Sequence, residues 1–197
     1  MGQDKRHLQL WGADGPTLLE HTVAFAKQVC NEVIVVLNDP AAWQLDAHIV
    51  ADVYPHGGAL GGIYSGLHAA QHTHAFVVAA DMPLLNLALV RYMIAQPRAY
   101  DVLLPQAVGE AQTRNPLGVQ PLHAIYSRAC LGPMQAQLDA GNAQVTSFFE
   151  QVRVQMIAPA TLRQFDPHGT ACLNVNTPDD VARVLATLRA GGSERGH

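Results

Sequence analysis

Apolar positions along this chain fall into short runs separated by stretches of helical spacing, and the alternation repeats from residue 17 to residue 190. Residues 33–37 form a β-branched run closed by Asn38, Asp39 and Pro40, the pattern of a buried strand entering a turn. Ahead of it, residues 17–30 place Leu18, Leu19, Thr22, Val23, Phe25, Ala26 and Val29 at helical spacing, with Pro16 near the start. Residues 48–51 predict a second strand, and 60–70 a helix with a glycine-dense entry. The wholly apolar run 75–80, stopped by Asp81, Met82 and Pro83, predicts a third strand. A helix over 87–95 and a strand over 102–105 follow. Residues 112–120 read as a hairpin or a loop over the site, and 121–126 as a strand returning to the sheet. Helices are predicted over 127–140, closed by Gly141, and over 144–149. A strand over 152–157 and a last helix over 178–190, N-capped by Thr177, complete the pattern. Such alternation predicts the α/β class: a single doubly wound, mostly parallel sheet with helices on both faces. One domain is expected over 1–190, with a disordered tail over 191–197.

Composition narrows the function classes. The chain has 197 residues, 49% hydrophobic and 14% charged, enough for one well-cored domain and unlike a disordered one. A formal net charge of −4 without any basic stripe argues against a nucleic-acid or anionic-membrane surface. Cys30, Cys130 and Cys172 are too widely spaced for a Cys-x-x-Cys site and suit reduced thiols. With no membrane-length apolar run and no signal peptide, a cytoplasmic protein is expected.

In such sheets ligands bind beyond the carboxyl ends of the strands. Asp81 stands at one of these ends, where a carboxylate can hold a hard cation such as Mg²⁺; the alternative is an Asp capping the next turn. A second end carries Asp52 and then Gly57, Gly58, Leu60, Gly61 and Gly62. Four glycines among these six residues let a nucleobase or phosphate approach the main chain, or else serve a tight strand-to-helix turn. At the third, Asn174 and Asn176 alternate by two and so share one face of an extended segment. A carboxamide oxygen there can complete a cation's shell opposite Asp81, although Thr177, Pro178, Asp179 and Asp180 also suit a plain helix start. His68, His72 and His74 lack a further ligand in register and read as surface histidines rather than a zinc site. No Gly-x-Ser-x-Gly elbow is present.

Asp4-Lys5 and these three strand ends together resemble the molybdenum cofactor guanylyltransferases, nucleotidyltransferases with a Rossmann-like fold. Gly58-Ala59-Leu60-Gly61-Gly62-Ile63 is similar to the family's Gly-Pro-Leu-x-Gly-Ile loop, with Ala59 in place of proline. Pro121-Leu122-His123-Ala124-Ile125-Tyr126 resembles its Pro-Leu-x-Ala-x-Tyr strand. The resemblance implies transfer of GMP from GTP to molybdenum-molybdopterin with release of pyrophosphate, and Mg²⁺ as cofactor. Lys5 would contact the phosphates, Asp81 would hold the metal, and Asn174 and Asn176 would line the nucleotide and metal region. Asp52 with Gly57, Gly58, Leu60, Gly61 and Gly62 would recognise guanine. His123, Arg114 and Asn115 fall in the pterin half. Molybdenum-insertion proteins and molybdoenzyme chaperones are the candidate partners. In the family a strand and a Leu-Ala-Gly-Gly-x-Ser-x-Arg segment directly precede the Met-Gly-x-Asp-Lys that opens this chain. The expectation is therefore a domain truncated at its N-terminus, lacking the phosphate loop and a central strand, with marginal stability and uncertain activity. Other classes remain open: a cytidylyl- or sugar-phosphate nucleotidyltransferase, or a non-catalytic nucleotide- or cofactor-binding protein that has lost its phosphate loop.

Overall fold

Runs of Val, Ile, Leu and Ala form the strands, and amphipathic stretches between them form helices on either face. The structure, a computed structural model, describes residues 4–106 and 118–193. In chain order the elements are α1 (Leu18–Ala26), β1 (Ile34–Leu37), β2 (His48–Ala51), α2 (Gly58–Ala69), β3 (His74–Val78) and α3 (Leu87–Ile94). After them come β4 (Val102–Pro105), β5 (His123–Ser127), α4 (Leu131–Asp139), β6 (Val154–Ile157), α5 (Pro159–Phe165) and α6 (Pro178–Ser193).

The α/β class and the flanking helices agree with the pattern read from sequence, but the strands divide into two sheets among the described residues. β1 and β2 pair in parallel, and the larger sheet has the order β3-β5-β4-β6. In it β5 is antiparallel to both neighbours, whereas β4 and β6 are parallel. One face of the large sheet packs Ala75, Val77, Ala124, Tyr126, Val102 and Leu104 against Leu60, Ile63 and Leu67 of α2 and Met134 of α4. The other sets Phe76, Leu103 and Ile125 against Leu89 and Met93 of α3 and Leu162 of α5. The small sheet is covered by Leu19 and Val23 of α1. Period-two alternation thus feeds two apolar layers.

β1 and β3 run side by side in the same sense without pairing. At their starts the Gln71 amide donates to Glu32 Oε2 at 3.1 Å, and at their ends Leu37 and Ala80 share one apolar cluster. Between them lies a cavity of about 1050 Å³. Its effect on β3 is plain: every residue of this apolar strand is only half-buried, whereas all of β4 and β5 is buried.

Several boundaries differ from expectation. α1 stops at Ala26, with turns over 27–29, and α2 begins at Gly58, so the glycines lie in its first turns. The 144–149 helix is replaced by turns and a short 3₁₀ turn over Phe149–Gln151, and α5 was not foreseen. α6 reaches Ser193, inside the segment expected as a tail. Arg114, Asn115, most of the 112–120 stretch and the last four residues lie outside the described residues.

Candidate active site

Three distant parts of the chain meet beyond the end of β3. The strand's line continues through Ala79, whose amide donates to the Leu122 carbonyl at 3.1 Å, and reaches Asp81. The 173–176 segment runs alongside: the Val175 amide donates to the Asp81 carbonyl at 2.9 Å, and Val175 is fully buried beside Leu10, Leu18 and Val184. That anchor leaves Asn174 and Asn176 on the opposite face, as their spacing requires. Asn174 Nδ2 donates to Asp81 Oδ1 at 3.1 Å, and Lys5 Nζ donates to Asn176 Oδ1 at 2.7 Å. Asp180 accepts from the Asn176 and Thr177 amides, both at 2.9 Å, while its own amide donates to Thr177 Oγ1 at 3.2 Å. This reciprocal cap fixes both the start of α6 and the posture of Asn176.

Burial pushes the Asp81 carboxyl above its usual range, and the Lys5 charge and the Asn174 hydrogen bond pull against it. A half-desolvated carboxylate beside carboxamides is a donor set suited to a hard divalent cation, which takes one or two protein carboxylates and completes its shell with substrate phosphate and water. No group of three or more His, Cys, Asp or Glu forms an all-protein cage among the described residues. The site therefore fits a cation shared with a phosphate ligand.

Arg6, which the motif reading passed over, stands next to Lys5. Its guanidinium reaches Asp4 at 2.6 Å and Asp39 at 2.7 Å, and lies 5.3 Å from the Trp43 ring centroid. The arginine lowers both carboxyl pKa values by hydrogen bonding and charge. A basic residue beside a basic residue carries no positional signal in sequence; its role comes from β1 bringing Asp39 to the same end of the fold.

Asp52 and the glycines form a second group. Asp52 Oδ1 accepts from the Tyr54 amide at 2.9 Å and from Ser65 Oγ at 2.7 Å. Its Oδ2 accepts no hydrogen bond among the described residues. Gly57 and Gly61 are closely packed: an added Cβ would meet Leu138 Cδ2 at 2.7 Å and the Tyr54 carbonyl oxygen at 2.6 Å, respectively. Gly58 has φ +55° and, like Gly62, borders the cavity between β1 and β3. Leu60 is fully buried, so its side chain belongs to the core. No hydrogen bond joins this group to the Asp81 cluster among the described residues, but Arg6 and Asp52 line the same cavity.

His123 opens β5 at the same end of the sheet and is fully buried against Phe76, ring centroids 5.3 Å apart. Desolvation lowers its pKa to about 4, so it is neutral at pH 7.

The model of the MobA-like NTP transferase domain family matches residues 1–156. A Chloroflexus aggregans protein named "Probable molybdenum cofactor guanylyltransferase" is 41% identical over 188 residues, covering 95% of this chain and 88% of its own length. The molybdenum cofactor guanylyltransferase of Desulfosudis oleivorans is 30% identical over 182 residues, 90% of this chain and 85% of that one. Among solved structures, molybdopterin-guanine dinucleotide biosynthesis protein A from Archaeoglobus fulgidus superposes with a TM-score of 0.78 at 20% identity, covering 96% of this chain and 92% of that chain. A Mycobacterium tuberculosis protein solved in complex with manganese gives 0.63 at 22% identity, covering 94% and 93%. These two are likenesses of fold. The extent of the family match and the identity to the relatives place the protein plainly: this chain belongs to the MobA-like NTP transferase domain family.

Proposed function

We propose that this protein transfers GMP from GTP to molybdenum-molybdopterin, giving the guanine dinucleotide cofactor and pyrophosphate. The names of its relatives support this reading, and the observation that carries it is the convergence of Lys5, Asp81, Asn174 and Asn176 at the strand ends. An oxygen of the pterin's terminal phosphate attacks the α-phosphorus of GTP. The bond from that phosphorus to the bridging oxygen breaks, and pyrophosphate leaves with the electron pair. Such a transfer asks the protein for position and charge rather than covalent participation. The Lys5 ammonium, held by Asn176, offsets charge on the phosphates. Asp81 and Asn174 would hold Mg²⁺, which when bound supplies further charge neutralisation on the phosphates. Asp52 Oδ2 is the acceptor for the guanine ring N–H and amino donors, and Ser65 and the Tyr54 amide fix its plane through the other oxygen. Gly58 and Gly62 let the base approach the main chain. No described helix is long and apolar enough to cross a membrane. We place the activity in the cytoplasm, with molybdenum-insertion proteins and molybdoenzyme chaperones as handover partners.

The test is direct. Purified protein with Mg²⁺, GTP and molybdenum-molybdopterin should yield the dinucleotide and pyrophosphate in equal amounts, and CTP should substitute poorly. GTP bound without turnover, or CTP used as well as GTP, overturns the reading.

A further inference from the structure

The buried hydroxyl of Tyr126 reaches the candidate active site through one turn of main chain. Tyr126 stands inside the large sheet, opposite Ala75 on β3 and opposite Val102 on β4, so its backbone is fixed from both sides. Its ring is fully buried in the apolar layer under α2 and α4, with the Phe148 ring centroid 6.4 Å away. A hydroxyl in such a layer costs free energy unless it is bonded. Here Tyr126 Oη donates to the Pro121 carbonyl at 2.8 Å. Burial pushes the phenol pKa far above its usual range, so the hydroxyl remains a donor at neutral pH.

Pro121 belongs to the turn that enters β5. The His123 amide donates to the Gln120 carbonyl at 3.2 Å, and the Gln120 amide donates to the Pro105 carbonyl at 3.1 Å. Leu122 has no positive φ, which excludes type II and leaves the type I turn that proline at its second position favours. Those two backbone bonds close the turn at its ends, while Tyr126 Oη holds the peptide between Pro121 and Leu122. The next carbonyl, that of Leu122, accepts from the Ala79 amide at 3.1 Å, two residues before Asp81. A second bond on this segment, from Thr22 Oγ1 to the Ala80 carbonyl, is longer at 3.5 Å. Asp81 passes the placement on, because its carbonyl accepts from the Val175 amide at 2.9 Å, between Asn174 and Asn176. The Leu122 side chain also packs on the apolar layer, but such packing is non-directional, whereas hydrogen bonds set where its carbonyl points.

We propose that Tyr126 is a positioning residue for the metal-binding carboxylate. Its hydroxyl fixes the Pro121–Leu122 peptide, that peptide fixes Ala79, and Ala79 sets where Asp81 and the 174–176 segment stand. Tyr126 has this role only if Asp81 holds the metal, as proposed above. The relay extends the site to a core residue that is itself sealed from substrate.

Tyr126→Phe keeps the ring and removes the one bond. Amide exchange in the free protein should quicken at Ala79 and Val175 by at least about fivefold and stay unchanged at Val102 and Leu104. With GTP present, the affinity for Mn²⁺, read by electron paramagnetic resonance, should fall severalfold. Turnover with Mg²⁺ should lose about tenfold in kcat while KM for GTP changes less than about twofold. Leu131→Ala trims the same apolar layer beyond the far end of β5. It should lower the Tm at least as far, yet leave kcat and Ala79 exchange as in the parent. Unchanged Ala79 exchange in Tyr126→Phe overturns the proposal whatever happens to the rate, and so does an equal loss of kcat in Leu131→Ala. A parent protein that transfers no GMP overturns the proposed function instead, and the exchange and Mn²⁺ readings then still decide whether Tyr126 positions Asp81.

Discussion

Asp81 is half-buried, and that burial sets a measurable stability cost. Its folded pKa is raised, so the folded state favours the protonated carboxyl. Stability at this residue is therefore full below the unfolded value of about 3.9 and falls as pH rises through the folded value. Asp81→Asn removes that loss and can still accept from Asn174 Nδ2. Urea titration at pH 7 should find the variant at least as stable as the parent, whereas turnover with Mg²⁺ should fall by two to three decades, about 3–4 kcal/mol. Near-normal turnover in that variant would remove Asp81 from the metal site. The acid limb of the pH–rate profile should lie above the ordinary carboxylate range and move down as Mg²⁺ is raised, because a bound cation favours the charged form. Asp81, Asn174 and Asn176 were legible in sequence because the strand-end rule and a period of two are local signals. The Ser65 clamp on Asp52 was not, since it exists only once α2 carries a residue 13 positions away back over the strand end.

At the scale of elements, α2 separates two uses of glycine that sequence could not tell apart. Gly61 sits with its Cβ direction 2.6 Å from the Tyr54 carbonyl oxygen, a backbone atom that cannot give way cheaply. Gly61→Ala should destabilise by about 1–3 kcal/mol through overpacking. Gly62 has open space in that direction, so Gly62→Ala should stabilise by about 0.5–1 kcal/mol through helix propensity. Paired thermal melts decide both, and equal effects at the two positions would refute the distinction. Read from sequence, the cluster is the glycine-dense entry to a helix over 60–70, because glycine is a poor helix former. The helix forms because Leu60, Ile63, Tyr64 and Leu67 bury one face against the large sheet, and tertiary packing overrides propensity. α5 escaped notice for the opposite reason: seven residues starting at Pro159 are too few to show a period.

For the whole molecule, local patterning specified class and strand positions, but pairing is non-local. A run such as 75–80 cannot report whether one or both of its edges are met, and so the division between β1 and β3 was not readable from it. Exchange rates should show the result: amides of β4 and β5 should be the slowest in the protein, and the cavity-facing amides of β1 and β3 faster. The large sheet also has an acid-sensitive corner. Asp101 accepts from Arg153 Nε and its terminal nitrogen at 2.9 and 2.8 Å, and from the Arg153 amide at 2.9 Å. Those bonds lower the Asp101 pKa to about 2. Because the folded value is depressed, the contribution is present above about pH 3.9 and is lost as pH falls toward 2. Arg153 is 66% exposed, so about 1–2 kcal/mol is the expected size after solvent screening. In Asp101→Asn the acid-unfolding curve should flatten across that window.

The hydrogen bond from Lys5 to Asn176 spans 171 positions, and the one from Asn174 to Asp81 spans 93. On the ribosome, where residues emerge in order, the carboxamide partners of both arrive after all six described strands have been made. If Asn174 and Asn176 line the nucleotide as proposed, a growing chain can lay down its sheets but cannot grip a triphosphate there until α6 begins to emerge. On that proposed assignment GTP is excluded as an early folding template at this cluster, and nucleotide capture there marks the near-completion of translation.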